Sequence, residues 1–140
     1  MVITVAELYR KTRKTIAEKE DPETATFYAR NIVCHVTGMS LEKLFADGQK
    51  YVDDTACNAV VDAVQRILKG EPLAYILGQW DFYGMQLRVD RNVLIPRDDT
   101  AAVTDLAISQ ALFLGNNPRI LDLCTGSGCI GLAVAQRVPD

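Results

Sequence analysis

Residues 119–131, Arg-Ile-Leu-Asp-Leu-Cys-Thr-Gly-Ser-Gly-Cys-Ile-Gly, combine residue types that can bind a nucleotide-like ligand. A short apolar run ending near the carboxylate of Asp122 indicates a buried strand, and a loop with three glycines follows it. The apolar segment 130–138 is compatible with a helix. In α/β proteins, a strand, a glycine turn and a helix N-terminus present backbone N–H groups and the positive end of a helix dipole to a ligand. The spacing therefore predicts a ligand site in this loop.

The identity of the ligand depends on Asp122. The glycines satisfy the dinucleotide fingerprint, but there the first glycine follows the strand almost directly, whereas here three residues separate Asp122 from Gly126. A carboxylate at the mouth of the loop would also repel a pyrophosphate. It suits S-adenosylmethionine, because Asp122 can bind the ammonium group while helix-terminal N–H groups bind the carboxylate. The alternatives are a dinucleotide such as NAD and a structural turn that binds no ligand.

The composition argues against several other classes of protein. The 140 residues are 49% hydrophobic and 24% charged, which is ordinary for one domain, or one small domain plus part of another. A net charge of −3 argues against sequence-independent binding of nucleic acid. No apolar stretch has the length of a membrane span, and the N-terminus lacks the pattern of a secretory signal. The four cysteines have no paired or zinc-type spacing, which indicates reduced thiols in a cytoplasmic protein without a metal site.

The first seventy residues predict a small all-helical domain of four helices. Each helix has a start signal of the N-cap type. These signals are the Thr4–Glu7 capping box, Asp21-Pro22, Ser40, and Asp53 or Asp54. Tyr28 and His35 fall among apolar helix positions, so both are expected to pack in the core or at its boundary. The basic run 10–14 is interpreted as a solvated helix face.

The composition changes from helix-forming to β-forming near residue 70. Residues 73–95 are rich in β-forming side chains, and Tyr83-Gly84 is the predicted turn of a hairpin. A short extended piece is expected at 92–96. The predicted fold is α+β overall, with a helical domain over 1–70, a β-hairpin linker over 71–97 and a third part over 98–140.

The third part is expected to begin with a helix that is capped by Asp98 or Asp99. Its expected buried face consists of Val103, Leu106, Ala107 and Ala111. The strand–loop–helix unit follows. A single strand between helices would leave an unpaired edge and an exposed apolar face. We therefore expect residues beyond about 115 to be poorly ordered or to pair with a second copy of the chain.

Three motifs together resemble one known family. Gly70-Glu-Pro-Leu-Ala-Tyr-Ile-Leu-Gly78 is similar to the family's interdomain segment, Leu94-Ile-Pro-Arg-Asp-Asp-Thr100 to its Ile-Pro-Arg-Pro-(Asp/Glu)-Thr signature, and Ile120-Leu-Asp-Leu-Cys-Thr-Gly-Ser-Gly-Cys-Ile-Gly131 to its cofactor loop. Their order and the helical first domain resemble the peptide chain release factor N5-glutamine methyltransferases of the HemK/PrmC type. The resemblance covers nearly the whole chain.

This resemblance implies a Rossmann-like class I methyltransferase domain behind a helical substrate-recognition domain. It also implies methyl transfer from S-adenosylmethionine to the glutamine side-chain amide of the Gly-Gly-Gln loop of a peptide chain release factor. The cofactor-binding residues that it implies are Asp122, Cys124, Thr125, Gly126, Ser127, Gly128 and Arg97. Pro96 and Thr100 match the second signature beside Arg97. Phe82 is expected either to cover the cofactor or to pack between the domains.

Two departures from the family pattern stand out. Cys124 occupies a position where the family usually has glycine, and the Asn-Pro-Pro-Tyr segment that positions the substrate amide does not occur in the chain. We therefore expect an N-terminal fragment that is inactive alone and binds the cofactor weakly or not at all. The alternative functions are a non-catalytic release-factor-binding module and the start of an NAD-dependent enzyme.

Overall fold

The computed structural model describes residues 3–115 and 117–138, which are mostly helical with two small antiparallel sheets. The chain divides into two compact units between Leu77 and Gly78. This division lies later in the chain than the change in composition near residue 70. Each unit is described by itself below.

The first four helices of the first unit begin at the predicted start signals. They are α1 (Val5–Ile16), α2 (Pro22–Thr37), α3 (Leu41–Ala46) and α4 (Asp54–Leu68). The four N-cap side chains, Thr4, Asp21, Ser40 and Asp53, each accept hydrogen bonds from backbone N–H groups of the first helical turn. The capping box is complete, because the backbone N–H of Thr4 also donates to Glu7 Oε2 at 3.0 Å. These predictions are confirmed.

The first unit also contains a short two-stranded ladder, so the prediction that it is all-helical is wrong. Strand β1 (Ile3–Thr4) pairs antiparallel with β2 (Tyr51–Val52). Beside this ladder, the N–H groups of Val5 and Ala6 donate to the carbonyls of Lys50 and Gly48, both at 2.9 Å. The first N–H groups of a helix have no partner within it, so this connection between α3 and α4 satisfies two donors of α1.

The core of the first unit lies between α1, α2 and α4, which contact one another. Its fully enclosed side chains include Ile16, Ile32, Val33 and Val60. Tyr28 is half-buried, as expected at a core boundary, but His35 is exposed. The prediction for His35 is wrong because the residue lies outside the stripe of α2 that faces the core.

The segment that follows α4 is a fifth helix, α5 (Leu73–Leu77), and not the predicted extended strand. Such a short apolar run has no period that separates a strand from a helix. Here Leu73 and Ala74 are buried, and α5 contacts α2 and α4. Arg66 stabilises the connection, since its Nε and Nη2 donate to the two carboxylate oxygens of Glu71 at 2.8 and 2.9 Å.

The second unit begins with the predicted hairpin. Strand β3 (Gln79–Phe82) pairs antiparallel with β4 (Met85–Arg88), and Phe82 lies opposite Met85. The turn is Tyr83-Gly84, as predicted, with φ angles of 57° and 77°. Two consecutive positive φ angles belong to the turn type that matches the twist of a hairpin.

The next helix, α6 (Asp98–Phe113), differs from its prediction in two respects. Arg97 occupies the N-cap position without a side-chain cap, and Asp98 is already helical. The buried residues are Thr104 and Ala111, whereas Val103 and Leu106 are 55% and 67% exposed. Apolar residues occur on all sides of this helix, so the sequence pattern does not indicate which face is buried.

The final helix, α7 (Cys129–Arg137), agrees with the prediction and packs against α6. The predicted strand at 120–123 is not formed, and neither is a strand at 92–96. A strand is defined by its ladder, and no other described segment pairs with residues 120–123. Leu121 and Leu123 are consequently 84% and 80% exposed. Among the described residues, no helix is long and apolar enough to cross a membrane.

Candidate cofactor-binding site

Asp122 holds the glycine-rich loop, residues 122–131, against the start of α7. Its Oδ2 accepts hydrogen bonds from the Thr125 hydroxyl at 2.9 Å and from the backbone N–H of Gly131 at 3.1 Å. A Cβ atom on Gly131 would lie only 3.0 Å from that same oxygen. A glycine at 131 therefore lets the backbone approach the carboxylate closely.

The backbone of this loop enters the left-handed region three times. Cys124, Gly126 and Gly128 have φ angles of 59°, 56° and 77°. A further hydrogen bond, from the Gly128 N–H to the Thr125 carbonyl at 2.9 Å, closes the turn. Two of the three positions are glycines, the residue that adopts this conformation without steric cost. Cys124 is the exception.

Helix α7 begins without a side-chain cap. Gly128 occupies the N-cap position, and the first hydrogen bond within the helix runs from the Leu132 N–H to the Gly128 carbonyl at 2.9 Å. The first three N–H groups of the helix have no partner within it. The N–H of Gly131 donates to Asp122. The N–H groups of Cys129 and Ile130 have no acceptor among the described residues. The loop thus presents a carboxylate beside two donors at the positive end of a helix.

A cavity of about 380 Å³ adjoins this arrangement. Its lining includes Ile120, Asp122, Gly131 and Val134. The volume is within the range of small-molecule sites, roughly 300–1,000 Å³. The residues from Cys124 to Gly128 do not line it, so the cavity and the predicted site share Asp122 only.

Arg97 is the one predicted site residue outside the loop. It is exposed at the start of α6, where its carbonyl accepts from the Thr100 N–H at 2.9 Å. Its side chain makes no hydrogen bond or ion pair with the loop within the described part of the chain. Pro96 beside it is buried, and Thr100 is half-buried. The six predicted loop residues lie together because they are neighbours in the sequence. Arg97 takes no part in their hydrogen bonds.

The hairpin contributes residues that the sequence did not connect with the loop. Phe82 and Leu87 form a buried cluster with Cys129 and Ala133 of α7. Phe82 therefore belongs to the core of the second unit, where it contacts the helix that follows the glycines. That Phe82 covers a cofactor or packs between the domains stays a prediction.

Tyr83, at the hairpin turn, contacts both helices of the second unit, α6 and α7. Its hydroxyl donates to the carboxylate of Asp105 on α6, and this hydrogen bond raises the pKa of Tyr83 above its ordinary value. The guanidinium carbon of Arg137 on α7 lies 5.1 Å from the centre of the Tyr83 ring, a cation–π distance. Glycine or asparagine is usual at this position of the turn. The tyrosine found there was the signal in the sequence that could have indicated this role.

Replacing Cys124 with glycine is expected to stabilise the second unit. A side chain in the left-handed region costs roughly 1 kcal/mol, so we expect the free energy of unfolding to rise by about that amount. The measurement is urea denaturation followed by the fluorescence of Trp80, the single tryptophan, which lies in β3. Ser127→Gly is the matched control, because Ser127 has no positive φ and glycine there should destabilise by roughly 0.5–1 kcal/mol. A shift of the two variants in the same direction would contradict this interpretation of Cys124.

Comparison with known proteins identifies the family. The family described as the PrmC N-terminal domain matches residues 7–78. The chain is 37% identical over 113 residues to a release factor glutamine methyltransferase of Thermodesulfovibrio yellowstonii, covering 80% of this chain and 40% of the relative. Enzymes of the same name from Haemophilus influenzae and Chlorobaculum tepidum are 38% identical over 127 residues (88% and 44% covered) and 36% identical over 142 residues (99% and 48% covered). The chain thus spans 40 to 48% of the length of these relatives, and it belongs to the PrmC N-terminal domain family.

Proposed function

We propose that this chain forms the helical recognition domain and the first part of the Rossmann-like catalytic domain of a release factor glutamine methyltransferase. The reaction is methylation of the glutamine side-chain amide in the Gly-Gly-Gln motif of a peptide chain release factor, with S-adenosylmethionine as the donor. The observation that carries the proposal is the Asp122 carboxylate beside the N–H groups of Cys129 and Ile130, in a chain related to enzymes of that name.

The loop fits the amino-acid end of S-adenosylmethionine. Oδ2 of Asp122 is occupied by Thr125 and Gly131, which leaves the other carboxylate oxygen for the ammonium group. The N–H groups of Cys129 and Ile130 suit the ligand carboxylate, because both the donors and the helix dipole favour an anion there. The backbone from Cys124 to Gly128 would lie against the ligand. Arg97 is proposed as a further cofactor-binding residue because of the resemblance alone. The cofactor supplies an electrophilic methyl group.

We further propose that the 140 residues alone do not transfer methyl groups. An amide nitrogen is a poor nucleophile because its lone pair is delocalised, and its reaction depends on being held in position. The Asn-Pro-Pro-Tyr segment that holds it in this family is absent from these residues. The helical unit alone would then dock a release factor without chemistry, in the cytoplasm and without direct contact to nucleic acid.

The exposed apolar side chains of the second unit favour self-association. Leu121, Leu123 and Phe113 are each at least 80% exposed, and Leu106 is 67% exposed. Burial of apolar surface contributes about 25 cal/mol per Å², so pairing of two copies through these residues would be favourable. Sedimentation velocity over a range of concentrations tests this; a monomer at every concentration would contradict it.

The test of the function uses the protein from the complete reading frame with methyl-labelled S-adenosylmethionine and a release factor. We expect label on the glutamine of the Gly-Gly-Gln motif, identified by mass spectrometry, and none when that glutamine is replaced. The 140-residue chain is assayed in parallel and should transfer no label. A complete protein that leaves the release factor unlabelled would refute the proposal. A complete protein that binds NAD in preference to S-adenosylmethionine would refute it too and would favour the dinucleotide alternative.

A further inference from the structure

We propose that Phe82 and Tyr83 of the hairpin are positioning residues for the glycine-rich loop. The hairpin, which the sequence indicated only as a linker, would hold α7 along its length and so fix the first helical turn that carries the cofactor donors. The use of that turn as a cofactor site rests on the proposed function. The proposal that the hairpin holds α7 in position rests only on contacts within the second unit.

The contacts follow one stripe of α7. Cys129, Ala133 and Arg137 are spaced four residues apart, and residues at this spacing share a helix face. Phe82 packs in the buried cluster with Cys129 and Ala133, and the ring of Tyr83 lies under Arg137. Two adjacent hairpin residues therefore contact the first and the last residue of a helix that runs from Cys129 to Arg137.

The conformation of Tyr83 indicates that this contact is specific. A φ of 57° at a bulky aromatic residue is unfavourable, and such a conformation persists only where surrounding interactions fix it. The interactions that fix it are the hydrogen bond to Asp105 and the contact with Arg137. A smaller turn residue would form the hairpin equally well but would contact neither helix.

The hairpin reaches the loop through Cys129. This residue is 7% exposed beneath Phe82 and directly follows Gly128, the left-handed N-cap of α7. Two residues further along, the Gly131 N–H donates to Asp122. If the Phe82 side of α7 is released, both the position of Gly128 and the Asp122–Gly131 hydrogen bond lose their support. Phe82 does not itself belong to the loop, so it acts through Cys129.

Two thiols make this testable in the chain as it stands. Cys124 is exposed in the loop and Cys129 is buried under the hairpin, so alkylation with iodoacetamide, resolved by mass spectrometry, should modify Cys124 first. Phe82→Ala is expected to raise the rate at Cys129 by at least about tenfold through local opening, with Cys124 unchanged. Phe82→Leu should restore protection. Tyr83→Phe, which keeps the ring and loses the hydrogen bond, should raise the rate about threefold and speed amide exchange at Gly131.

The control is Ala102→Gly, at an exposed position of α6, which destabilises a helix by about 1 kcal/mol without altering the hairpin. If Cys129 reacts as fast in this variant as in Tyr83→Phe, the effect is general unfolding and the proposal is wrong. It is also wrong if Phe82→Ala leaves Cys129 and the Gly131 amide protected. Failure of the complete protein to bind S-adenosylmethionine would instead refute the proposed function, since the thiol and amide measurements require no cofactor.

Discussion

Ile32→Ala is expected to lower the free energy of unfolding of the first unit by about 3 kcal/mol, within the range for deletion of a buried isoleucine side chain. Ile32 is fully buried on α2, the helix that contacts α1, α4 and α5. The cavity would therefore open where most of the helices of this unit meet. Urea denaturation followed by circular dichroism at the helical minimum reports mainly this unit, because five of the seven helices in the described residues belong to it.

Val61→Ala is the matched control on α4. Val61 is 56% exposed, so its truncation should change the unfolding free energy by less than about 0.5 kcal/mol. Equal effects of the two substitutions would show that the core does not lie between α1, α2 and α4.

Asp122→Ala is expected to lower the unfolding free energy of the second unit by about 2 kcal/mol, since the carboxylate accepts two hydrogen bonds and such bonds to charged groups contribute roughly 1.5–3 kcal/mol. The fluorescence of Trp80 in urea measures this loss. Asp122→Asn retains an acceptor oxygen for the Thr125 hydroxyl and the Gly131 N–H. It should therefore cost less than half as much as the alanine variant.

The asparagine variant also separates the two roles of Asp122. The loop needs only an acceptor there, whereas an ammonium ligand needs the negative charge. In the complete protein, we expect Asp122→Asn to weaken binding of S-adenosylmethionine by about tenfold, which corresponds to about 1.4 kcal/mol, while the unit stays folded. Unchanged affinity in isothermal titration would show that Asp122 fastens the loop and does not contact the ligand.

Local signals in the sequence predicted where the first four helices begin. Thr4, Asp21, Ser40 and Asp53 each cap the helix that they precede, because an N-cap depends on the three or four residues that follow it. The hairpin turn at Tyr83-Gly84 was predictable for the same reason. These features require no knowledge of distant parts of the chain.

Features that depend on distant contacts were not predictable. Leu73–Leu77 became a helix because α2 and α4 bury it, and residues 120–123 form no strand because no described segment pairs with them. Helix α6 packs against α7, and its buried residues are Thr104 and Ala111. In each case the local pattern allowed two outcomes, and packing determined which one formed.

The candidate site also combines features that local sequence predicts with features that depend on distant contacts. The position of Asp122 ahead of the glycines was visible in the sequence, and the left-handed conformation of Gly126 and Gly128 agrees with their residue type. The direction of the Asp122 carboxylate, toward Thr125 and Gly131, depends on how the loop folds back on α7. The contact of Phe82 with Cys129 joins residues far apart in the chain, so no local pattern could indicate it.

The pairing of β1 with β2 has a consequence for how the chain is made. Helix α1 has backbone donors that are satisfied by the carbonyls of Gly48 and Lys50, residues that a ribosome adds long after α1 itself. Short isolated helices are marginal in water, so α1 should stay frayed at its start until that later segment has left the exit tunnel. The first turn of α1 is then completed only after the segment that follows α3 has been synthesised, although α1 precedes that segment in the chain.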